Sequence, residues 1–429
     1  MRQIAVHLGK RPEPIGLLFC DTSGGRFQSS FEYSQNWLAD KRRFAIDPAL
    51  PLVRGRVYHQ QNRGAPPFFG AISDTGPDGW ALIVIARNFR LENGGFDASR
   101  LTPVDFLLQV SDQYRIGALR FRDENGAFSG ADAGRTVPPF IKLTDILAAT
   151  EAVERDGETN EQIRYLMNES TSIGGLRPKA SIVSPHGALE IAKFPSVHDV
   201  REVTRGEALA LRLAELSGIT TCRYRLQSVL GRPVIVVRRF DRTESGDRIP
   251  SVSAMTMLQS AHHQDGTYVD IAEVLRRHGA DVKGDLREIF KRMVLNVLIS
   301  NTDDHLGNHA FVYNGNNRWK LSPVFDINPF PDTVRAHKTS VSRKTGPKMS
   351  IESCLFECRR FDLDLLEAKM IINDIASVVG QWREVAASPE IGMTERQADM
   401  FQGAFEHDDS RTAAAPCSPV AQLKTPGEN

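Results

Sequence analysis

The sequence predicts an α+β chain with a β-rich front, a mixed sheet region and a helical rear, and three observations carry that expectation. RQIAVHLG and PIGLLFCDTSGGRFQSSFEY alternate apolar and polar residues between Gly, Pro and Asp breaks, the pattern of half-buried strands. ASIVSP and ALEIAKF read as two strands joined by a turn at Ser184 to Gly187, and the amphipathic stretch REVTRGEALALRLAELSG follows them. Beyond about residue 250 the periodicity is mainly helical. There DLREIFKRMVLNVLIS sets Ile289, Met293 and Val297 beside a second apolar row of Phe290, Val294 and Leu298, so this helix is expected to be buried on most sides.

Taken in order, the first hundred or so residues read as strands and turns, closed by a short helix at PDGWALIVIARNF. IGALRFRDENG begins a second β-rich region with a hairpin-like turn near Glu124 and Asn125, and from GRTVPPFIKLTDILAATEAVERD the pattern is mixed. In the helix after ALEIAKF, Leu209, Leu213 and Leu216 recur at four- and three-residue spacing, and Gly218 is placed to end it. RPVIVVRRF is the next strand. Beyond about residue 406 HDDSRTAAAPCSPVAQLKTPGEN offers little to pack and is expected to be a disordered tail.

Bulk properties narrow the function. A chain of 429 residues suggests two or three domains. Lys+Arg and Asp+Glu balance at 53 each, which argues against a general nucleic-acid or anionic-membrane surface. The five cysteines are scattered and odd in number, as suits a reducing compartment. Cys354 and Cys358 share a helical face but have no second ligand pair nearby for a metal. MRQIAVHLGKRPEPIGLLFC is broken by charges and prolines, unlike a signal peptide, and no run approaches the ~20 apolar residues of a membrane span. A soluble, cytoplasmic protein is the expectation.

One polar cluster set between apolar flanks is SNTDDHLGNHAFVY at 300–313, followed closely by LSPVFDINPF. Two carboxylates, an imidazole and an amide between apolar flanks are costly to bury unless something satisfies them. A nucleotide with magnesium would, because magnesium takes hard oxygen ligands from one or two carboxylates and from phosphates. Phosphoryl transfer of the protein-kinase type needs an Asp at the attacking hydroxyl, an Asn five residues on, and a second metal-binding Asp after the following strands. Asp303, Asn308 and Asp326 stand in that order, and HAFVYNGNNRWKLSPVF between them reads as two strands about an Asn/Gly turn. Upstream, Lys193 in LEIAKF is a strand lysine suited to nucleotide phosphates, with Glu207 or Glu202 on the next helix to orient it. STSIGGLRPKAS at 170–181 offers Gly174 and Gly175 in a loop before a strand; Ala180 stands where a Walker A motif would carry Ser or Thr. Each signal alone is commonplace, and their order along the chain is what points to one site.

The stretches SIGGLRPKA, IAKF, EALALRLAELSGI, RRFDR, NTDDHLGNHAF and LSPVFDI carry a family resemblance, as do AVHLGKRPEPIGLLF, SFEYSQNWL and PPFFGAISDTGPDGWA in the front half. The chain resembles the HipA-like serine/threonine protein kinases, toxins of bacterial toxin–antitoxin modules, over nearly its whole length. The resemblance implies a protein-kinase-like bilobal α+β fold of the HipA type. Its parts would be a β-rich N-terminal subdomain at 1–110, an N-lobe at 111–240, an α-helical C-lobe at 241–405 and a disordered tail at 406–429. It implies ATP and Mg2+ as cofactors. Asp303 would be the catalytic aspartate at the substrate hydroxyl, and Asn308 and Asp326 would hold magnesium. Lys193, oriented by Glu207, would contact the ATP phosphates. Gly174, Gly175, Leu176, Arg177, Pro178 and Lys179 would form the phosphate loop. The backbone of Arg238, Arg239 and Phe240 would form the adenine-side hinge, and His305 would join the nucleotide-binding set. Ser172, with Thr171 beside it, matches the serine that members autophosphorylate; a phosphate there adds roughly −1.5 to −2 charges and would expel the loop. The implied partners are an aminoacyl-tRNA synthetase as protein substrate (glutamyl-tRNA synthetase being the precedent), a small helix-turn-helix antitoxin of HipB type, and operator DNA through that antitoxin. Growth arrest or persistence would be the outcome.

The sequence departs from the pattern at three points. Asn301 stands where ordinary kinases carry His or Arg, Gly307 where some members carry a lysine, and Arg238 where at least some carry an acidic residue. Two other readings remain: a catalytically silent co-repressor module, and a metal-dependent phosphohydrolase built on Asp303, Asp304, His305 and His309. The basic run RAHKTSVSRKTGPK at 335–348 is either a solvated loop or a contact for an acidic substrate or a tRNA-bearing target.

Overall fold

Alternating residues in the N-terminal segments pair into an antiparallel sheet. Its strands are β1 (Arg2–Leu8), β2 (Glu13–Asp21), β3 (Gln28–Tyr33), β4 (Arg56–Tyr58) and β5 (Leu119–Arg122), in the order β4-β3-β2-β1-β5. The structure, a computed structural model, describes residues 1–22, 26–60, 64–95, 98–124, 126–129, 143–169, 175–262, 266–332 and 334–414. Ile4 lies opposite Leu18 and Leu18 opposite Phe31, so one face of the sheet is a fully buried apolar row. Val6 opposes Phe121 on the far edge of β1. The expected boundary at 110 therefore falls inside this unit. Alternation reveals that 119–122 is a strand, but not that its partner lies more than a hundred residues upstream. Asn125, half of the expected turn, lies outside the described residues; the turn itself closes with the Asp123 N–H on the Ala127 carbonyl at 3.0 Å.

The second sheet holds β6 (Lys179–Val183), β7 (Leu189–Lys193), β8 (Tyr224–Val229) and β9 (Arg232–Arg238), in the order β6-β7-β9-β8. The β6–β7 turn runs from Ser184 to Gly187, where Gly187 takes φ +80°, a conformation glycine adopts without steric cost. β9 reads as an unbroken apolar run because both of its faces are covered. Val234 and Val236 pack against helices Leu143–Glu154 and Asn160–Glu169, which periodicity had not singled out. Ile235 and Val237 face the core that includes helix Val203–Leu216. Helix Trp80–Glu92 of the N-terminal unit adds Trp80 and Val84 to the first of these cores.

The C-terminal lobe is mainly helical around helix Val282–Leu298, whose two apolar rows are all buried. Beside it a small sheet of β10 (Ser251–Ser253), β11 (Ala310–Tyr313) and β12 (Trp319–Leu321) contains the expected hairpin, turning through Gly315, Asn316 and Asn317 at positive φ. Cys354 and Cys358 are buried free thiols, the first on helix Ile351–Phe356 and the second in the following 3-10 turn.

The tail expectation needs correcting at its start. Residues 408–414 form a helix, Asp408–Ala414, the Asp409 carboxylate accepts the Ile351 N–H at 2.9 Å, and His407 and Ala413 are buried. Small alanines lose no side-chain entropy on packing, so a stretch poor in large apolar residues is ordered by docking. Residues 415–429 lie outside the described residues. Among those described, no helix is long and apolar enough to cross a membrane.

Candidate active site

Three elements distant in sequence meet at Lys193. The lysine ends β7, and its Nζ donates to Glu207 Oε1 at 2.5 Å and to Asp326 Oδ1 at 2.6 Å. Glu207 projects from the buried face of helix Val203–Leu216. Glu202, the other candidate, instead lies 3.9 Å from Arg205 and accepts from Gln397. Asp326 follows β12 and sits at φ +56°, a left-handed conformation uncommon outside glycine and typical of functional loops. The Val324 N–H bonds the Thr220 carbonyl at 2.8 Å, which ties this segment to the chain just after the Glu207 helix.

The charges sustain one another. Burial alone would push the Asp326 carboxyl up, yet Lys193 and Lys179 hold it well below the usual carboxylate range. Burial would likewise lower the Lys193 ammonium, but Asp326 and Glu207 keep it above its ordinary value. Glu207 is shifted upward because burial outweighs the attraction of Lys193. Lys179 lies directly opposite Lys193 on β6, and burial pulls its ammonium down to about 8. Two lysines and two carboxylates thus sustain one another in a single cluster, with Asp78 also close enough to act on Lys179.

The 301–309 loop is braced from beneath by a buried polar network. Asn301 donates to the Asn296 side chain at 3.0 Å, and Asn296 donates to the Tyr268 hydroxyl at 2.7 Å. The Tyr268 hydroxyl donates to Asp304 at 2.5 Å, and His309 meets the same carboxylate oxygen at 2.9 Å. Asp304 is therefore part of the scaffold. Asp303, one residue earlier, points outward with its side chain 51% exposed and pairs with the Lys338 ammonium. Asn308 is buried in the turn Leu306–Asn308, with its N–H on the His305 carbonyl at 2.8 Å, and His305 lies near enough to Asp326 to lower its pKa. The metal-hydrolase set does not converge, because Asp304 and His309 are spent on each other inside the core while Asp303 faces away.

The remaining sequence candidates fall as follows. Ser172, Thr171 and Gly174 lie outside the described residues. Gly175, at φ +100°, is so close to Lys179 that a Cβ there would overlap its Nζ. Leu176 is exposed, Arg177 pairs with Asp199 at 2.6 Å, and the Pro178 carbonyl accepts the Phe194 N–H at 3.0 Å. At the expected hinge the Arg238 and Arg239 N–H groups already donate to the Arg223 and Leu189 carbonyls. The Arg239 guanidinium is buried against Asp241 at 2.6 Å and bonds the Tyr114 carbonyl, so it joins the N-terminal unit to the sheet. Phe240 packs on Phe325, beside Asp326, with ring centroids 5.4 Å apart.

Sequence reasoning missed four contributors. In sequence Lys338 is one charge in the basic run 335–348, with nothing to link it to Asp303. Tyr268 and Asn296 look like ordinary core positions of their helices. The turn before helix Trp80–Glu92 docks on the segment that begins at Gly175: the Trp80 N–H donates to the Gly175 carbonyl at 2.8 Å, and Gly79, at φ +47°, leaves no room for a Cβ against that carbonyl. Glycine in GPDGW was the one available signal.

Comparison with known proteins follows the same division of the chain. A family model described as the HipA-like C-terminal domain matches residues 171–397, and one described as the HipA N-terminal domain matches residues 4–122. "Putative kinase Y4mE" of Sinorhizobium fredii is 24% identical over 339 residues, covering 69% of this chain and 71% of that protein. "Putative kinase Y4dM" of the same organism is 25% identical over 335 residues, covering 73% and 74%. Among solved structures, a chain from the Shewanella oneidensis MR-1 HipA, HipB and operator DNA complex superposes with a TM-score of 0.65 at 16% identity, covering 96% of each chain. The fold is the bilobal, kinase-like α+β fold of that structure. Because the two family models between them span both the N-terminal sheet and the lobes that enclose Lys193, this chain belongs to the HipA-like family.

Proposed function

We propose that the chain is an ATP- and magnesium-dependent protein serine/threonine kinase, the toxin of a toxin–antitoxin pair. The observation that carries this reading is Lys193, held between Glu207 and Asp326 by contacts of 2.5 and 2.6 Å, with Asp303 facing outward on the 301–309 loop. Relatives named as kinases support it.

Lys193, and Lys179 behind it, would bind the phosphate chain, while Gly175 to Lys179 line its approach. Asp303 would align the acceptor hydroxyl and take its proton as the hydroxyl oxygen bonds to the γ-phosphorus. The bond from that phosphorus to the β–γ bridging oxygen breaks, and ADP leaves with the electron pair. Asp326 and Asn308 are a carboxylate and an amide. Among the described residues no group of three or more His, Cys, Asp or Glu side chains is gathered for a metal. Two protein oxygens completed by phosphate and water is how magnesium is usually held, so these residues fit it. When bound, the ion would offset negative charge on the phosphate oxygens.

Ser172 would be the autophosphorylation site, with Thr171 as its neighbour. An aminoacyl-tRNA synthetase is the proposed protein substrate, by family resemblance. A HipB-type antitoxin, and operator DNA through it, are the proposed partners, supported by the composition of the Shewanella complex. A cytoplasmic location accords with these partners. The test is transfer of labelled phosphate from γ-labelled ATP by purified wild type, Asp303→Ala and Asp326→Ala. Both variants should lose transfer while keeping the wild-type circular dichroism spectrum; unchanged incorporation in either would refute the assignment. Phosphoproteomics of cells expressing wild type against Asp303→Ala would then name the substrate.

A further inference from the structure

We propose that Lys338 supplies, from outside the 301–309 loop, the cation that positions Asp303 and meets the transferred phosphoryl group on its acceptor side. The inference rests on the phosphoryl-transfer reading and adds a residue to it.

Four observations lead there. The loop NTDDHLGNH contains no lysine or arginine, and His309 is committed to Asp304. The Lys338 ammonium nevertheless sits on Asp303 Oδ1. Its backbone is fastened on both sides of that aspartate: the Lys338 N–H donates to the Thr302 carbonyl at 3.2 Å and the Thr339 N–H to the Asp304 carbonyl at 2.9 Å. Finally, the segment is anchored. His337, Thr339 and Val341 are buried, Lys338 is exposed, and the Ser340 and Val341 carbonyls accept the Tyr268 and Val269 N–H groups at 3.0 and 3.1 Å. Lys338 is thus turned outward between two buried neighbours, His337 and Thr339. The lysine is therefore aimed at Asp303 by the backbone rather than arriving there by free rotation of a long side chain.

Charge movement explains why such a group is needed. On the donor side the phosphate oxygens would lie near Lys193. As the γ-phosphoryl crosses to the acceptor hydroxyl, its oxygens move away from that lysine toward Asp303, which is itself negative. A cation at Asp303 offsets this repulsion and keeps the carboxylate oriented toward the hydroxyl proton. Lys338 retains all of its protons throughout; the hydroxyl proton goes to Asp303 and the electron pair leaves with ADP. An exposed ion pair is worth little to folding, so the effect should appear in turnover and leave stability alone.

The experiment compares purified full-length wild type, Lys338→Ala, Lys338→Arg and Asp326→Ala. Phosphate transfer from Mg·ATP to the chain itself and to water is measured, together with binding of a fluorescent ATP analogue by anisotropy and the thermal midpoint. Lys338→Ala should lose about 10- to 100-fold in turnover, with analogue affinity within about threefold of wild type and an unchanged midpoint. Lys338→Arg should recover part of the loss, and added ethylammonium should partly rescue Lys338→Ala but not Asp326→Ala. Turnover of Lys338→Ala equal to wild type, or faster as an inhibitory pair would give, overturns the inference, as does a parallel loss of analogue binding. Absence of transfer by the wild type itself is the distinct result that would end the kinase reading, and this inference with it.

Discussion

Glu207→Gln tests the lysine pocket directly, because it removes one carboxylate and keeps the shape. Glu207 Oε1 accepts from Lys193 Nζ at 2.5 Å, and the two side chains are 5% and 13% exposed. Orphaning a buried charge completely costs about 3–5 kcal/mol. Here Asp326 still holds the ammonium at 2.6 Å, so that ceiling is not reached. The relevant magnitude is one charge-assisted hydrogen bond, about 1.5–3 kcal/mol, which corresponds to roughly a 10- to 150-fold change in an equilibrium or rate. With Glu207 neutral, Lys193 is drawn wholly to Asp326 and must leave it before reaching a phosphate chain, so the loss should appear in kcat/KM for ATP. Steady-state label transfer measures it, and a double-mutant cycle with Lys193→Met apportions it. If Glu207 acts through the lysine, the double variant is no slower than Lys193→Met alone. Losses that multiply, or a Glu207→Gln rate within threefold of wild type, would refute the reasoning.

Tyr268→Phe removes the hydroxyl that links Asp304 to Asn296 and leaves two buried polar groups short of a partner, so urea unfolding should show a loss of about 1–3 kcal/mol; an unmoved midpoint would mean the network is not bracing the loop. Lys179 gives a pH signature. The unfolded chain keeps this proton up to about pH 10.5 whereas the folded chain releases it near 8, so the unfolded state binds more protons in that window and stability should rise with pH through it. Lys179→Met should flatten the difference in thermal midpoint between pH 8 and 10.5, and parallel curves for variant and wild type would remove Lys179 as the source.

Local pattern was enough for several parts of this molecule. The Ser184–Gly187 turn, the two-sided burial of helix Val282–Leu298 and the hairpin through Gly315 to Asn317 follow from periodicity and from the few residues that accept a left-handed backbone. Contiguous motifs carried the family, and the order of Lys193, Asp303, Asn308 and Asp326 named the candidates before any geometry was known. Tertiary structure decided what each candidate faces. Asp303 and Asp304 are the same residue type at adjacent positions, and only the partners around them, Lys338 outside and Tyr268 with His309 inside, leave one exposed and make the other a brace. The choice of Glu207 over Glu202, the pairing of β5 with β1 and the docking of Gly79 on Gly175 have the same origin. Each is a contact between segments remote along the chain, and such contacts are set by how whole elements pack, for which a short stretch of sequence carries no periodic signal.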